Sequence, residues 1–127
     1  MITLKGAFTA LITPFTDDNQ VDEEGLRELL RLQVAAKMDG IVLLGTTGES
    51  SSLSYEERDQ VIQIAVEEVK GKLTLVVGCG TNSTQATVSM AKHAEALGAD
   101  ALLIVTPYYV KPTQEGIFLH FQAICNE

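Results

Sequence analysis

Apolar residues fall along the chain in four short blocks, about every 30 residues: AFTALIT (7–13), IVLL (41–44), LTLVVG (73–78) and ALLIVT (101–106). Each is rich in β-branched residues or leucine and is closed by Gly, Thr or Pro. Continuous apolar character in place of strict alternation predicts strands covered on both faces, as in a parallel sheet. A helical pattern follows every block. Leu26, Leu29, Leu30 and Val34 recur at helical spacing after Asp22, and Ile62, Ala65, Val66 and Val69 do so after Ser54. Met90, Ala91, Ala94 and Leu97, with the methyl of Thr87, follow Ser83, and Ile117, Phe118, Phe121 and Ile124 follow Thr113. The residues before these stripes are N-cap types, Ser54 and Glu57 have capping-box spacing, and Gly98 suits a helix end. Glu23, Glu24, Glu56, Glu57 and Glu115 fall in first turns, where the helix dipole favours negative charge.

The order is therefore βαβαβαβα, an α/β class, with residues 1–127 read as a single domain without linker or low-complexity segment. Two architectures fit: a small doubly wound sheet, or four units of a (β/α) barrel, whose full form needs eight units and roughly 250 residues. Periodicity alone leaves both open. In either, chemistry collects at the carboxyl ends of the strands. Those ends read TPFTDDN, GTTGESSS, GCGTNST and TPYYVKP, all with threonine. The opposite connections, KMDG, VKGK and ALGAD, are short and mostly charged.

Composition narrows the partners. A hydrophobic content of 46% with 20% charged residues suits a packed core and not a disordered chain. The net charge of -8 speaks against nucleic acid or an anionic membrane, but leaves room for a small anion drawn by a local positive potential. No apolar run reaches the roughly 20 residues of a membrane span, and MITLKGAFTALITPF reads as a strand, not a signal peptide. Cys79 and Cys125 lack metal-type spacing and read as reduced cytoplasmic thiols.

The second loop holds the leading candidates. Gly45 lets the backbone approach a ligand, and the hydroxyls and N–H groups of Thr46 and Thr47 fit a carboxylate. A threonine hydroxyl also passes a proton between partners; the competing reading is of plain turn residues. The stretch is no P-loop, since no lysine follows it. Glu49 reads as a cap or brace of the turn, and Ser50, Ser51 and Ser52 as lining of a polar cleft or as solvated loop. Tyr108 and Tyr109 on an extended segment point opposite ways, so one at most faces its own pocket. Asn82, Ser83 and Thr84 are explained by helix capping, and Lys111 by solvation or attraction of an anion. His93 and His120 read as surface or boundary residues. Neither a Ser/His/Asp arrangement nor a metal cluster is present, and no cofactor is expected.

Together GTTGESSSLSYEER, TNSTQATVSMAKHAEALGADALLIVTPYYVKPTQEG and GAFTALITPFTDDNQVD resemble the dihydrodipicolinate synthase / N-acetylneuraminate lyase family, over essentially the whole chain. The resemblance implies a pyruvate-dependent class I aldolase on a TIM barrel, of which this chain carries four βα units, a half-barrel. The second threonine of GTTGE points to the synthase branch, whose substrates are pyruvate and aspartate semialdehyde in lysine biosynthesis. By the resemblance, Thr46 relays a proton, Thr47 holds the pyruvate carboxylate, and Tyr109 is a relay tyrosine crossing a dimer interface. Ser50, Ser51, Tyr55, Arg58, Asn82 and Tyr108 match the family's allosteric lysine site, where Ala86 replaces a glutamate, so lysine inhibition is not expected. The family's Schiff-base lysine and a tyrosine–arginine pair match nothing up to Glu127, and Lys111 lies on the wrong loop to replace the lysine. The chain alone is thus expected not to catalyse the condensation, and two copies are expected to associate through the open sheet edges. The alternatives are another aldolase of the family, or a non-catalytic half-barrel scaffold or regulatory chain.

Overall fold

The computed structural model describes residues 2–127. Four strands, β1 (Phe8–Ala10), β2 (Gly40–Leu43), β3 (Thr74–Cys79) and β4 (Ala101–Ile104), alternate with four helices, α1 (Glu23–Ala35), α2 (Tyr55–Val69), α3 (Thr84–Leu97) and α4 (Gln114–Cys125). The three pairings within the sheet are parallel, and it runs β1-β2-β3-β4 with each strand beside its predecessor in the chain. A doubly wound sheet reverses strand order at a switch point, and this sheet does not. The chain is therefore four successive units of a (β/α) barrel, a half-barrel, as a comparison of the two predicted architectures by strand order decides.

Helix boundaries follow from side-chain chemistry. Asp22, Ser83 and Thr113 each accept the N–H of the residue three positions on, at 3.0, 3.4 and 3.1 Å. Ser54 and Glu57 form the full capping box: Ser54 N–H donates to the Glu57 carboxylate at 2.7 Å and Glu57 N–H donates to Ser54 Oγ at 3.2 Å. The Ser54 backbone N–H first, and its hydroxyl second, favour the charged form and hold the Glu57 carboxyl below its usual range. Gly98 ends α3 in the left-handed conformation (φ 114°). At the amino ends of the strands, Asp39 accepts the Ala7 N–H and Asp100 accepts the Leu75 N–H, each at 2.8 Å. The charged residues of these short connections thus tie neighbouring strands together.

The core lies between the sheet and the first helices, built by Leu26, Leu30, Ile41, Leu43, Val61 and Val77 with their neighbours. Two expectations change. The block AFTALIT gives only a three-residue strand, and IVLL stops at Leu43 because Leu44 turns to φ 54°. On α4 the inward stripe is Ile117, His120, Phe121 and Ile124, with His120 buried and the other three half-buried, not the all-apolar set. Phe118 is 62% exposed, whereas His120, expected near the surface, is 4% exposed. Its Nδ1 is 2.9 Å from Thr84 Oγ1 on α3, its ring meets Phe121 edge-on, and its Nε2 is buried without a partner. The stripe keeps the spacing i, i+3, i+4, i+7, with a polar residue in an apolar slot.

Candidate functional site

A cleft of about 740 Å³ opens at the carboxyl ends of β2, β3 and β4, against the starts of α2 and α3. Its wall on the β2 side is the segment 44–54. Leu44 and Glu49 both adopt positive φ, 54° and 53°, a conformation that costs non-glycine residues energy and that surrounding bonds must hold. Glu49 N–H donates to the Thr46 carbonyl at 3.1 Å, and Thr13 Oγ1 donates to the Gly48 carbonyl at 2.8 Å from the first loop. Ser50–Ser52 then form one 3₁₀ turn. The sequence reading passed over Thr13; its buried hydroxyl (5% exposed) fixes the turn that presents Thr46. Glu49 makes no side-chain cap, so its bracing of the turn is by backbone alone.

Glycine is required at one place here. A Cβ on Gly78 would run into the Leu44 carbonyl, so only glycine lets β3 pass beside the left-handed Leu44. The Gly78 carbonyl is turned to Arg58 instead, accepting from Nη2 at 3.1 Å, while Ser50 O accepts from Nη1 at 3.5 Å. Arg58 projects from α2 and is half-buried. Burial pushes its pKa down, though a guanidinium remains charged at any ordinary pH. The adjacent Asp59 carboxylate is engaged elsewhere, 2.9 Å through each oxygen from His93 Nε2. Beside Arg58 lies Cys79, whose thiol is pushed up to about 11 by burial, only partly offset by the guanidinium. It is a neutral thiol at neutral pH and no nucleophile.

Thr46, Ser50, Ser51, Tyr55, Arg58 and Tyr108 all line this cleft, as does Ala86. Thr47, Asn82 and Tyr109 do not. Tyr109 is 96% exposed, with φ 70°, and Lys111 has φ 47°. The segment after β4 is therefore a folded-back loop where the sequence suggested an extended one. Among the described residues no cluster of metal-ligating side chains occurs. The arrangement offers one cation and a ring of hydroxyl donors, which is chemistry for holding an oxyanion.

A family model described as the Dihydrodipicolinate synthetase family matches residues 3–127. The chain is 55% identical over 121 residues to a 4-hydroxy-tetrahydrodipicolinate synthase of Protochlamydia amoebophila (strain UWE25), covering 95% of this chain and 40% of that protein. It is 53% identical over 122 residues to the synthase of Geotalea uraniireducens (strain Rf4), covering 96% and 42%. A solved dihydrodipicolinate synthase from Acinetobacter baumannii, chloride-inhibited and complexed with pyruvate, superposes with a TM-score of 0.95 at 42% identity, over 98% of this chain and 43% of that one. The chain thus spans about two fifths of the length of the curated relatives it matches.

Proposed function

The chain belongs to the dihydrodipicolinate synthetase family, and from that premise we propose that it serves a dihydrodipicolinate synthase-like class I aldolase, condensing pyruvate with aspartate semialdehyde in lysine biosynthesis. The observation that carries this reading is the position of Thr46, on a hydroxyl-lined cleft at the carboxyl end of β2. In this reading residues 1–127 act as one unit. Thr46 touches the substrate and relays a proton, and Thr47 with its backbone N–H holds the pyruvate carboxylate. Tyr109, fully presented to solvent, relays a proton in a neighbouring chain's site. Ser50, Ser51, Tyr55, Arg58 and Tyr108, with Asn82 at the margin, form an effector cleft. The setting is cytoplasmic, with which the lack of any helix long and apolar enough to cross a membrane, among the described residues, is compatible.

Aldol chemistry of this class needs a lysine amine to convert the ketone of pyruvate into an iminium with loss of water. The iminium accepts the electron pair of a methyl C–H bond as a base takes the proton, and the resulting enamine attacks the aldehyde. No lysine lines the cleft. We therefore propose that these 127 residues bind but do not turn over by themselves. Borohydride treatment with pyruvate followed by intact mass is expected to give no adduct, and a covalent pyruvate adduct overturns the proposal. For the activity itself, co-expression with the remaining segment of the Protochlamydia relative is expected to give condensation that falls about 100-fold or more in Thr46→Val. Full activity in that variant removes Thr46 from the mechanism. The same lysine-free cleft favours the second reading, a non-catalytic half-barrel, which stands if co-expression yields binding without turnover.

We propose further that the chain associates with copies of itself. β1 and β4 each pair on one side only, and Leu103 and Val105 at the β4 end are exposed. Unpaired strand edges of this kind invite pairing. Light scattering coupled to size-exclusion chromatography is expected to give a dimer or larger species at micromolar concentration; a monomer rejects it.

A further inference from the structure

We infer that the cleft around Arg58 binds a small carboxylate that carries no ammonium group, with Arg58 as its anchor. The inference deepens the reading of this cleft as an effector site, and rests on it only in taking the cleft as a place where a ligand binds.

The chain has a net charge of -8, yet the cleft at the strand ends is lined by one cation and by no Asp or Glu. Among the described residues Arg58 makes no ion pair: the arginine pairs belong to Arg27 and Arg31, and the nearby Asp59 is held by His93. Arg58 is instead oriented by two backbone carbonyls, Gly78 and Ser50. A guanidinium has five N–H donors, so three remain for a ligand. A half-buried cation bonded only to neutral carbonyls keeps a charge that no bonded partner balances, and an arriving carboxylate supplies that charge through strong, directional bonds.

The rest of the lining selects the ligand. Thr46, Ser50, Ser51, Tyr55 and Tyr108 add hydroxyl groups to the same lining. An ammonium group would find no carboxylate there, and would share the cleft with the like charge of Arg58. Ala86 adds no charge to the lining. It is the third residue of α3, next to the Ser83 cap, and lines the cleft with a methyl group only. The cleft volume of about 740 Å³ is ample for a molecule of this size.

Titration calorimetry on the full chain tests this, with succinate and L-lysine as probes and ¹H–¹⁵N spectra to locate the site and confirm folding. Succinate is expected to bind saturably, moving the Gly78 and Arg58 signals, and L-lysine to bind at least about ten-fold more weakly. Arg58→Gln is expected to weaken succinate at least about ten-fold. Lysine binding as tight as succinate, no saturable succinate binding, or Arg58→Gln binding succinate within three-fold overturns the inference. If Arg58→Gln does not fold, Ala86→Glu replaces it. Glutamate there has capping-box spacing from Ser83, which favours α3, while its charge opposes Arg58. Succinate affinity is expected to fall at least about ten-fold in that variant, and unchanged affinity overturns the inference. Failure of the borohydride or co-expression results leaves this outcome untouched, because neither depends on Arg58.

Discussion

Helices α2 and α4 follow equivalent strands in a repeating fold, yet α2 buries Val61, Ile62, Ile64, Ala65 and Val69, whereas α4 fully buries only His120. The cause is position in the sheet. α2 packs against α1, α3 and β3, and both strands it bridges, β2 and β3, have neighbours on each side. α4 follows β4, which pairs with β3 alone, and its helix neighbour is α3. Phe118 and Leu119 are left facing solvent. The cleft straddles this divide: Arg58 comes from the firmly packed unit, and Tyr108 from the loop that leads into the loosely packed one. The anchor of the site therefore stands on a well-packed helix, and its tyrosine side on a loop beside a sparsely packed one.

The largest expected effect separates the two helices by stability. Ile64→Ala in α2 creates a cavity in the core and is expected to cost about 2–5 kcal/mol in urea unfolding. A loss below about 1 kcal/mol would mean that the middle unit is no better packed than the last. Next is the polar contact that docks α4. Thr84→Ala leaves Nδ1 of the buried His120 without its partner, a cost of about 1–3 kcal/mol. Adding His120→Leu to Thr84→Ala is expected to recover part of that loss, because both unpaired nitrogens disappear together. No recovery would show that the imidazole contributes through shape, not through its hydrogen bond.

The same two helices show what could be read from the sequence. Every N-cap was legible, because Asp22, Ser54, Ser83 and Thr113 precede clean apolar stripes and act within three residues. On α4 the stripe misled, since pattern reading ranks Phe118 above His120, and only the contact with Thr84, 36 residues away, makes the histidine an inside residue. Strand order was not legible, because periodicity is identical in a doubly wound sheet and in a barrel. The candidate site was legible as a set of strand-end loops. The half-burial of Arg58 was not, since it depends on Gly78 and Ser50 approaching from two other segments. Nor was the left-handed backbone of Leu44 and Tyr109, two residue types that rarely adopt it.

Acid sharpens the comparison more gently. Arg31 and Arg27 hold the Glu68 carboxyl below its usual range, tying α1 to α2. A carboxyl with a depressed folded-state pKa binds fewer protons folded than unfolded. Its contribution is therefore present in full above the ordinary carboxylate range, about 4.3, and is lost as pH falls through the lower folded value. Glu68→Gln is expected to lower stability at pH 7 and to flatten the acid limb of the stability curve, with the two proteins converging near pH 2. Lys92 lowers the Glu127 carboxyl in the same sense, but both side chains are more than half exposed. Glu127→Gln should therefore change the acid limb less, as solvent screening dictates. An equal effect would mean that α4 is held as firmly as α2.

The smallest expected effect on stability is at Phe118. A side chain 62% exposed on the outer face of α4 has little area to lose, so Phe118→Lys is expected to shift the unfolding free energy by less than about 0.5 kcal/mol at low protein concentration. The same face, with Leu119 beside it, is where an apolar surface remains for a second molecule. Placing a charge there should weaken self-association in sedimentation experiments while leaving the monomer's unfolding midpoint in place. A loss above 1 kcal/mol at low concentration would put Phe118 in the packed interior of the unit and remove the contrast between α2 and α4. An unchanged association constant would mean that pairing at the open edges of β1 and β4 holds the chains together without help from α4.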